Sequence, residues 1–357
     1  MYRSALITIL FFFAHLSYGQ VQATKYSNEF LAIGVGGRAL AMGNTQVAIV
    51  NDVTAGYWNP AGILRQTNQY DLMLQHGEYF SGIAKFDYAA FSMKLDTVSA
   101  LGFSIIRFGI DDIPDTRFLY DANGAINYDN VRFFTAADYA FITTYARKLN
   151  VLDGLQLGGN FKIIHRKAGD FANAWGFGLD VGAQLSVNKW KFGAVFRDVT
   201  GTFTAWTHNA DLIIDVYSQT GNSIPQNSVE VTVPRLTLGA ARYFKLKQFG
   251  FLPTFDLVFT FDGKRNTLVR SNFTSIDPTF GVEIDFKKLA FVRLGARNVQ
   301  ELKSFDSTTS FSVEPTFGIG FHYKAVAIDY ALTSVGPHTE SLYSHIFSVR
   351  LNFEGKE

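Results

Sequence analysis

The 357-residue sequence contains no cysteine. This absence excludes disulfide bonds, zinc–thiolate sites, cysteine nucleophiles and an N-terminal lipid-modified cysteine. Neither sign of charge is in excess, because 32 lysines and arginines are matched by 31 aspartates and glutamates. A balanced chain gives no reason to expect nucleic acid as a partner. An apolar run of about 18 residues is also missing, so the sequence predicts no transmembrane helix.

The sequence also lacks the motifs of enzymes and cofactor sites. Its 7 histidines form no H-x-x-x-H or H-E-x-x-H pair, so no metal site is predicted. The glycines around Gly34 and Gly37 are not part of a βαβ dinucleotide fingerprint, and Gly43 is not followed by a phosphate-binding lysine. The G-x-S-x-G elbow of serine hydrolases is missing as well. We therefore predict no catalytic residue and no cofactor.

Residues 1–19 are predicted to be a cleaved signal peptide. Arg3 supplies a positive start, and the following run from Ala5 to Ala14 is apolar except for one threonine and too short to span a bilayer. Ser17 and Gly19 place small residues at positions −3 and −1 of a cleavage site. The alternative is a short buried helix. Cleavage would leave an exported mature chain.

From about Asp71 onward, apolar and polar residues alternate in runs of roughly eight to fifteen, the period of a strand with two different faces. Strands in soluble sheets average about five to six residues, whereas a tilted strand needs about nine to eleven to cross a membrane. We therefore predict an all-β fold, a transmembrane antiparallel β-barrel of about fourteen strands over residues 70–357. The predicted strands are 71–78, 84–95, 98–109, 135–148, 155–168, 174–187, 190–201, 234–246, 251–265, 274–286, 289–300, 311–323, 325–335 and 342–354.

The predicted connections sort into two kinds. Every second one is a short turn, and the others include two long loops at 110–134 and 202–233. A bacterial barrel with an even strand number keeps its termini and short turns in the periplasm, so we expect the long loops to be extracellular and lipid to surround the wall. The loops carry aromatic residues, which are expected to bind protein partners unless the loops merely cap the barrel. These residues are Phe118, Tyr120, Phe203, Trp206 and Tyr217.

The lumen is predicted to be polar. In 174–187 and 311–323 one face of the strand consists mostly of glycine and polar residues, and lumen faces of such barrels are polar. Acidic residues of the lumen face are expected to join a network of salt bridges and hydrogen bonds rather than a catalytic pair. They are Asp180, Asp256, Asp262, Glu314 and Asp329, opposed by Arg242, Arg350 and several lysines.

Residues 20–69 lack the long alternation and are rich in small residues, which predicts backbone packed closely against backbone. We therefore predict a plug folded into the periplasmic end of the lumen. Asn59-Pro60 is expected to start a turn, and Gly62 to supply a positive φ. The signature residues of the plug are Gly34, Gly37, Arg38, Ala39, Met42, Gly43, Asp52, Trp58, Asn59, Pro60, Ala61 and Gly62.

The order G-x-R-A-x-x-M-G followed by D-x-x-A-x-x-W-N-P-A-G, within residues 30–64, resembles the PorV/PorQ group. These are outer-membrane proteins of the type IX secretion system and distant relatives of the FadL fatty-acid transporters, which share the Asn-Pro-Ala element. The resemblance implies a fourteen-stranded barrel with an N-terminal plug. It also implies a role in passing secreted cargo from the translocon to an attachment complex.

Two functions remain open on the sequence. The leading one is a PorV-like component of type IX secretion, whose partners are cargo proteins and proteins of the translocon or attachment complex, bound through the extracellular loops. The alternative is a FadL-like transporter of hydrophobic small molecules, which would place an apolar pocket inside the barrel beside the plug. The polar and glycine positions predicted for the lumen favour the first.

Overall fold

The computed structural model describes residues 27–355 except 122, 215–216, 219–220, 304–308 and 335–342. The predicted signal peptide, and residues 20–26 of the predicted plug, lie outside the described residues. Within the described part of the chain, no helix has the length and apolar character needed to cross a membrane.

The described residues form eighteen strands of one antiparallel sheet, and fourteen of these make up the wall of a closed barrel. The sheet closes because its first wall strand pairs with both the second and the last. The predicted fold class and number of strands are confirmed. The wall strands are β1 (Tyr70–Tyr79), β2 (Ala84–Lys94), β3 (Ser99–Asp115), β4 (Arg132–Lys148), β5 (Leu155–Ala168), β6 (Ala172–Val187), β7 (Trp190–Arg197), β10 (Arg235–Arg242), β12 (Phe249–Thr260), β14 (Ser275–Phe286), β15 (Ala290–Lys303), β16 (Thr309–Tyr323), β17 (Val326–Ser334) and β18 (Tyr343–Phe353).

The other four strands extend the wall or lie in its loops. After β7, the chain turns aside at Asp198 and Gly201, both with positive φ, and β8 (Thr202–His208) then continues along β6. The strand β9 (Ser228–Thr232) pairs with β8 and leads into β10. The predicted single loop over 202–233 was therefore wrong at both ends, because this bulge interrupts the alternation without ending the sheet. The other two strands are β11 (Phe244–Leu246) and β13 (Val269–Arg270).

The outward face of the barrel is mainly apolar. Alternate side chains project outward along the wall strands, with Phe177 of β6 54% exposed and Phe317 of β16 41% exposed. A closed barrel pairs the backbone of every wall strand and leaves no sheet edge, as lipid requires. The wall therefore has the two faces of a membrane-spanning barrel. Further outward-facing apolar residues are Leu74, Phe103, Phe141, Phe161, Phe255, Phe280, Leu294, Ile328 and Val349.

The two ends of the barrel differ. One end, here called the turn end, carries tight connections in which Asn188, Lys287 and Lys288 have positive φ, the conformation that matches hairpin twist. The chain enters and leaves the wall at this end, where Tyr70 of β1 pairs with Phe353 of β18. The longer connections lie at the opposite end, here called the loop end, as the alternation of short turns and long loops predicted.

Candidate functional site

Residues 27–69, here called the plug, cross the lumen and contact all fourteen wall strands. The helix Gly37–Ala41 packs on β15–β18, and the 3₁₀ helix Pro60–Arg65 packs on β3–β6. Residues 42–48 lie against β7, β10, β12 and β14. Val53 contacts the two remaining wall strands. Its amide donates to a side chain of β1, and its carbonyl accepts from a side chain of β2. The plug therefore contacts the wall around its whole circumference.

The glycines of the plug signature are required for two different reasons. Gly34 and Gly43 adopt positive φ values of 106° and 62°, which other residues rarely tolerate. Gly37 and Gly62 instead allow close approach, since a Cβ on Gly62 would lie 2.5 Å from the carbonyl oxygen of Val50. The expectation of a positive φ at Gly62 was wrong, because Gly62 lies inside a 3₁₀ helix and is small for steric reasons.

The Asn59-Pro60-Ala61 element starts that 3₁₀ helix and fastens it. The Asn59 side chain accepts a hydrogen bond from the Ala61 amide at 3.2 Å, and Pro60 takes a position where no amide hydrogen is needed. The side-chain Nδ2 of Asn59 donates to the carbonyls of Val47 at 2.9 Å and Ala183 of β6 at 3.0 Å. One buried side chain thus joins the helix, the preceding plug segment and the wall.

The apolar residues of the signature connect the segment around Trp58 to the segment around Val35 within the plug. Trp58 donates from Nε1 to the carbonyl of Val35 at 2.9 Å, and its ring meets that of Tyr57 edge-on at 4.8 Å. Ala39 is buried on the helix that packs against the wall, and Met42 is buried directly after its last residue. These contacts make the plug a compact unit rather than a loose strand of chain.

A buried charge network ties the plug to the wall. Arg38 donates twice to Glu283 of β14, at 2.8 and 2.9 Å. The same carboxylate accepts from the fully buried Arg293 of β15 at 2.7 Å, and Arg293 donates in turn to Asp329 of β17 at 2.7 Å. Burial opposes the charge on Arg38, yet the carboxylate of Glu283 holds the pKa of Arg38 above its usual value.

The other predicted ionic residues of the lumen follow two patterns. Asp52 of the signature accepts from Arg350 of β18 at 3.0 Å, and Asp180 accepts from the buried Lys162 at 2.8 Å. Asp256 differs, because one of its oxygens accepts from the amides of plug residues 46 and 47 at 2.9 and 3.1 Å and no described cation pairs with it. The predicted network therefore exists, but without Asp256 as an ionic member.

A cavity of about 620 Å³ lies in the lumen against the plug, toward the loop end. One wall of it is apolar and comes from the plug and from β1 and β3. The opposite wall is polar and comes mainly from β10, β12, β14 and β15. The apolar residues include Ile33, Trp58, Tyr79, Phe80 and Phe108; the polar ones include Arg235, Thr237, Asp256, Thr260, Ser275, Asp277, Thr279 and Arg297.

The apolar wall of the cavity continues into an apolar cluster that fills the β1–β5 side of the lumen. Phe86 and Tyr88 of β2 are almost completely buried there. The prediction of a mostly polar lumen was therefore wrong on this side. On the same strand, Lys85 and Asp87 lie on the outward face, between the inward-facing Phe86 and Tyr88. The alternation of the sequence alone does not tell which of these two faces points inward. Further members of the cluster are Ile106, Ile142, Ile164 and Ile346.

The five loop aromatics lie in different settings. Phe118, 43% exposed, lies under the guanidinium group of Arg132, and Tyr120 is 64% exposed nearby in the β3–β4 loop. Phe203 lies opposite Phe177 and faces outward from the wall extension, not from a loop, because β8 continues the sheet. Two more aromatics are half-buried at the loop end, namely Trp206 of β8 and Tyr217.

No protein-family model and no curated protein matches the sequence. Solved structures do match over nearly the whole barrel. The toluene transporter TbuX of Ralstonia pickettii is 15% identical, with 90% of this chain and 98% of that chain covered and a TM-score of 0.52. The toluene transporter TodX of Pseudomonas putida is 12% identical, with 90% and 98% covered and a TM-score of 0.55. A Pseudomonas aeruginosa FadL homologue is 11% identical, with 88% and 97% covered and a TM-score of 0.53.

The chain has a FadL-like fold. At these identities the likeness concerns the fold alone, and the neighbours' substrates are not transferred by it. The FadL-like fold agrees with the distant FadL relationship that the resemblance at residues 30–64 implies. The narrower assignment to type IX secretion stays a prediction.

Proposed function

We propose that this protein is an outer-membrane transporter that admits small hydrophobic or amphipathic molecules from the loop end into the cavity on the plug. The cavity is the observation that carries the proposal, because it lies inside the barrel, beside the plug, and has an apolar wall. Its volume of about 620 Å³ falls in the range of ligand pockets, about 300–1,000 Å³. The named function of TbuX and TodX, toluene transport on the same fold, supports the proposal.

The apolar wall supplies the driving force for binding. A ligand that leaves water and packs against Trp58 and Phe108 gains about 25 cal/mol for each Å² of apolar surface buried. The plug contacts every wall strand, so a bound molecule reaches the turn end only after the plug rearranges. The cavity is therefore the entry site, and release into the periplasm is the step that the plug controls.

Filling the cavity from the wall is expected to abolish uptake. Val258 lines the cavity on β12, and tryptophan there would occupy much of the space beside the plug without touching the plug signature. We expect Val258→Trp to lower the rate at which cells expressing the protein take up radiolabelled toluene at least about tenfold, since the tryptophan fills the space in which the ligand would pack.

The matched control is Leu257→Trp, the neighbouring residue on the opposite, outward face of the same strand. This variant adds the same side chain to the same strand but should leave uptake at the wild-type rate. Equal uptake by Val258→Trp and the wild type would contradict entry through the cavity.

A PorV-like role in type IX secretion is the second candidate. The observation in its favour is the plug signature, which resembles PorV/PorQ from Gly34 to Gly62, together with exposed aromatics such as Tyr120 in the β3–β4 loop. Deletion of the gene would then leave secreted cargo in the periplasm or release it unattached. Unchanged secretion in the deletion strain, together with loss of its uptake of hydrophobic molecules, would support the transporter over the secretion component.

A further inference from the structure

We infer that the ligand of the cavity is a neutral molecule that carries several hydroxyl groups on an apolar ring or chain. This inference rests on the proposed transport function and names the substrate class for the same site. It comes from the polar wall of the cavity, which a plain hydrocarbon would leave without hydrogen-bond partners.

Several buried polar atoms of this wall have no hydrogen-bond partner among the described residues. Asp256, Thr260 and Thr279 are 1%, 7% and 7% exposed, and each has one such side-chain oxygen. A buried polar atom without a partner costs about 1–3 kcal/mol, so native sites normally satisfy such atoms with water or ligand. The remaining members of the set are Oδ1 of Asp277, Nε of Arg197 and Nε of Arg297.

The sheet register brings these atoms onto one surface. Asp256 of β12 lies directly opposite Thr279 of β14, and Thr260 lies opposite Ser275. Residues paired in this way present their side chains on the same face of adjacent strands, within about 5.5 Å of each other. The wall therefore offers carboxylate acceptors and hydroxyl groups side by side, an arrangement suited to neighbouring hydroxyls of one ligand.

The apolar wall of the cavity favours a ligand that also has an apolar surface. Trp58, Ile33 and Phe108 face the cavity with ring and aliphatic carbons. A ring with hydroxyl groups at its edge and apolar faces would satisfy both walls at once. A hydrocarbon would satisfy only the apolar wall, and a fully polar solute only the other.

The charges lining the cavity favour a neutral ligand. The lining has four arginines and four carboxylates, so neither sign is in excess. Arg235 and Arg297 are already paired with carboxylates. Arg197 donates to the carbonyl of Tyr57 at 2.9 Å and stacks on its ring at 4.9 Å. An anionic ligand would meet the unpaired carboxylates of Asp256 and Asp277, and a cationic one would meet Arg197.

The test compares two probes that share a nitrophenyl ring. Binding of 4-nitrophenyl β-D-glucoside and of 4-nitrotoluene to the full-length purified protein is measured by equilibrium dialysis, in a detergent without a sugar head group. We expect the glucoside to bind at least about tenfold more tightly, because its hydroxyl groups pair with the polar wall. Equal or weaker binding of the glucoside would overturn the assignment of the ligand class.

A near-isosteric double variant tests whether the polar wall of the cavity causes the tighter binding of the glucoside. The double variant Thr260→Val with Thr279→Val removes two hydroxyls from the cavity, and we expect it to weaken glucoside binding about tenfold while leaving 4-nitrotoluene binding unchanged. Thr333→Val is the matched control, because the Thr333 hydroxyl is also buried and unpartnered among the described residues but lies outside the cavity lining. An equal loss in the control would show a general effect on the barrel and contradict the site.

These measurements separate a wrong ligand class from a wrong transport function. If 4-nitrotoluene binds and the glucoside does not, the ligand class is wrong and the transport proposal stands. If neither probe binds the wild-type protein, and toluene uptake is also missing, both proposals fail. Preference for the glucoside that disappears only in the double variant supports both.

Discussion

Replacing Gly158 with alanine is expected to destabilise the protein and open its lumen to solutes, while the same change at Gly159 leaves both properties unchanged. The two glycines are neighbours on β5 but face opposite ways. A Cβ on Gly158 would lie 2.5 Å from the carbonyl carbon of Pro60 and 2.6 Å from the amide of Ala61. The first atom that a Cβ on Gly159 would meet is the carbonyl oxygen of Asp180, at 3.4 Å.

The expected loss follows from overpacking against backbone that cannot rotate away. Such substitutions cost about 1–3 kcal/mol, which should appear as a lower midpoint of thermal unfolding in detergent. A displaced plug should also raise the conductance of the protein in planar bilayers. If Gly158→Ala behaves like Gly159→Ala in both measurements, the plug does not lie against β5 as described. Other wall glycines that face plug atoms are Gly102, Gly182, Gly193, Gly239, Gly281, Gly295 and Gly318.

Glu283→Ala is expected to be the most destabilising single substitution in the charge network. The variant leaves Arg38 and Arg293 without the carboxylate that both contact, and Arg293 has no exposed surface. Breaking a buried ion pair by removing one partner costs about 3–5 kcal/mol, because the remaining charge stays desolvated. The measurement is the free energy of unfolding in urea, with the protein in lipid vesicles.

Asp170→Ala is the control for this prediction. Asp170 pairs with Lys167 at 3.6 Å, but the two side chains are 85% and 53% exposed, and exposed pairs contribute little. We expect no measurable change for this variant. A similar small change for Glu283→Ala would mean that the plug is not held to the wall by this network.

The wall strands were predictable because their signal is local. Alternation over 155–168 predicted the bounds of β5 as the structure has them, and 84–95 predicted β2 to within one residue. The end of β7 was missed, since the bulge at Asp198 and Gly201 depends on the buried Lys162 of another strand, which donates to Asp198. A contact between distant parts of the chain leaves no periodic trace in the sequence.

The site was only partly predictable for the same reason. The plug signature predicted dense packing, and its residues do pack against the wall. Its partners Glu283 and Arg293 lie on separate strands and carry no motif, so their pairing with Arg38 emerges only from the fold. The polar wall of the cavity likewise combines residues from four strands that carry no common motif. The apolar side of the lumen was hidden because alternation does not specify which face of a strand points inward.

Entry of a hydrophobic ligand into the cavity can be seen in a crystal structure of the protein soaked with 4-bromotoluene, with the bromine located by anomalous scattering. We expect a bromine peak inside the lumen, between Trp58 of the plug and Val258 of β12. A cavity without bromine, in crystals whose outward, lipid-facing surface does show bound 4-bromotoluene, would contradict it.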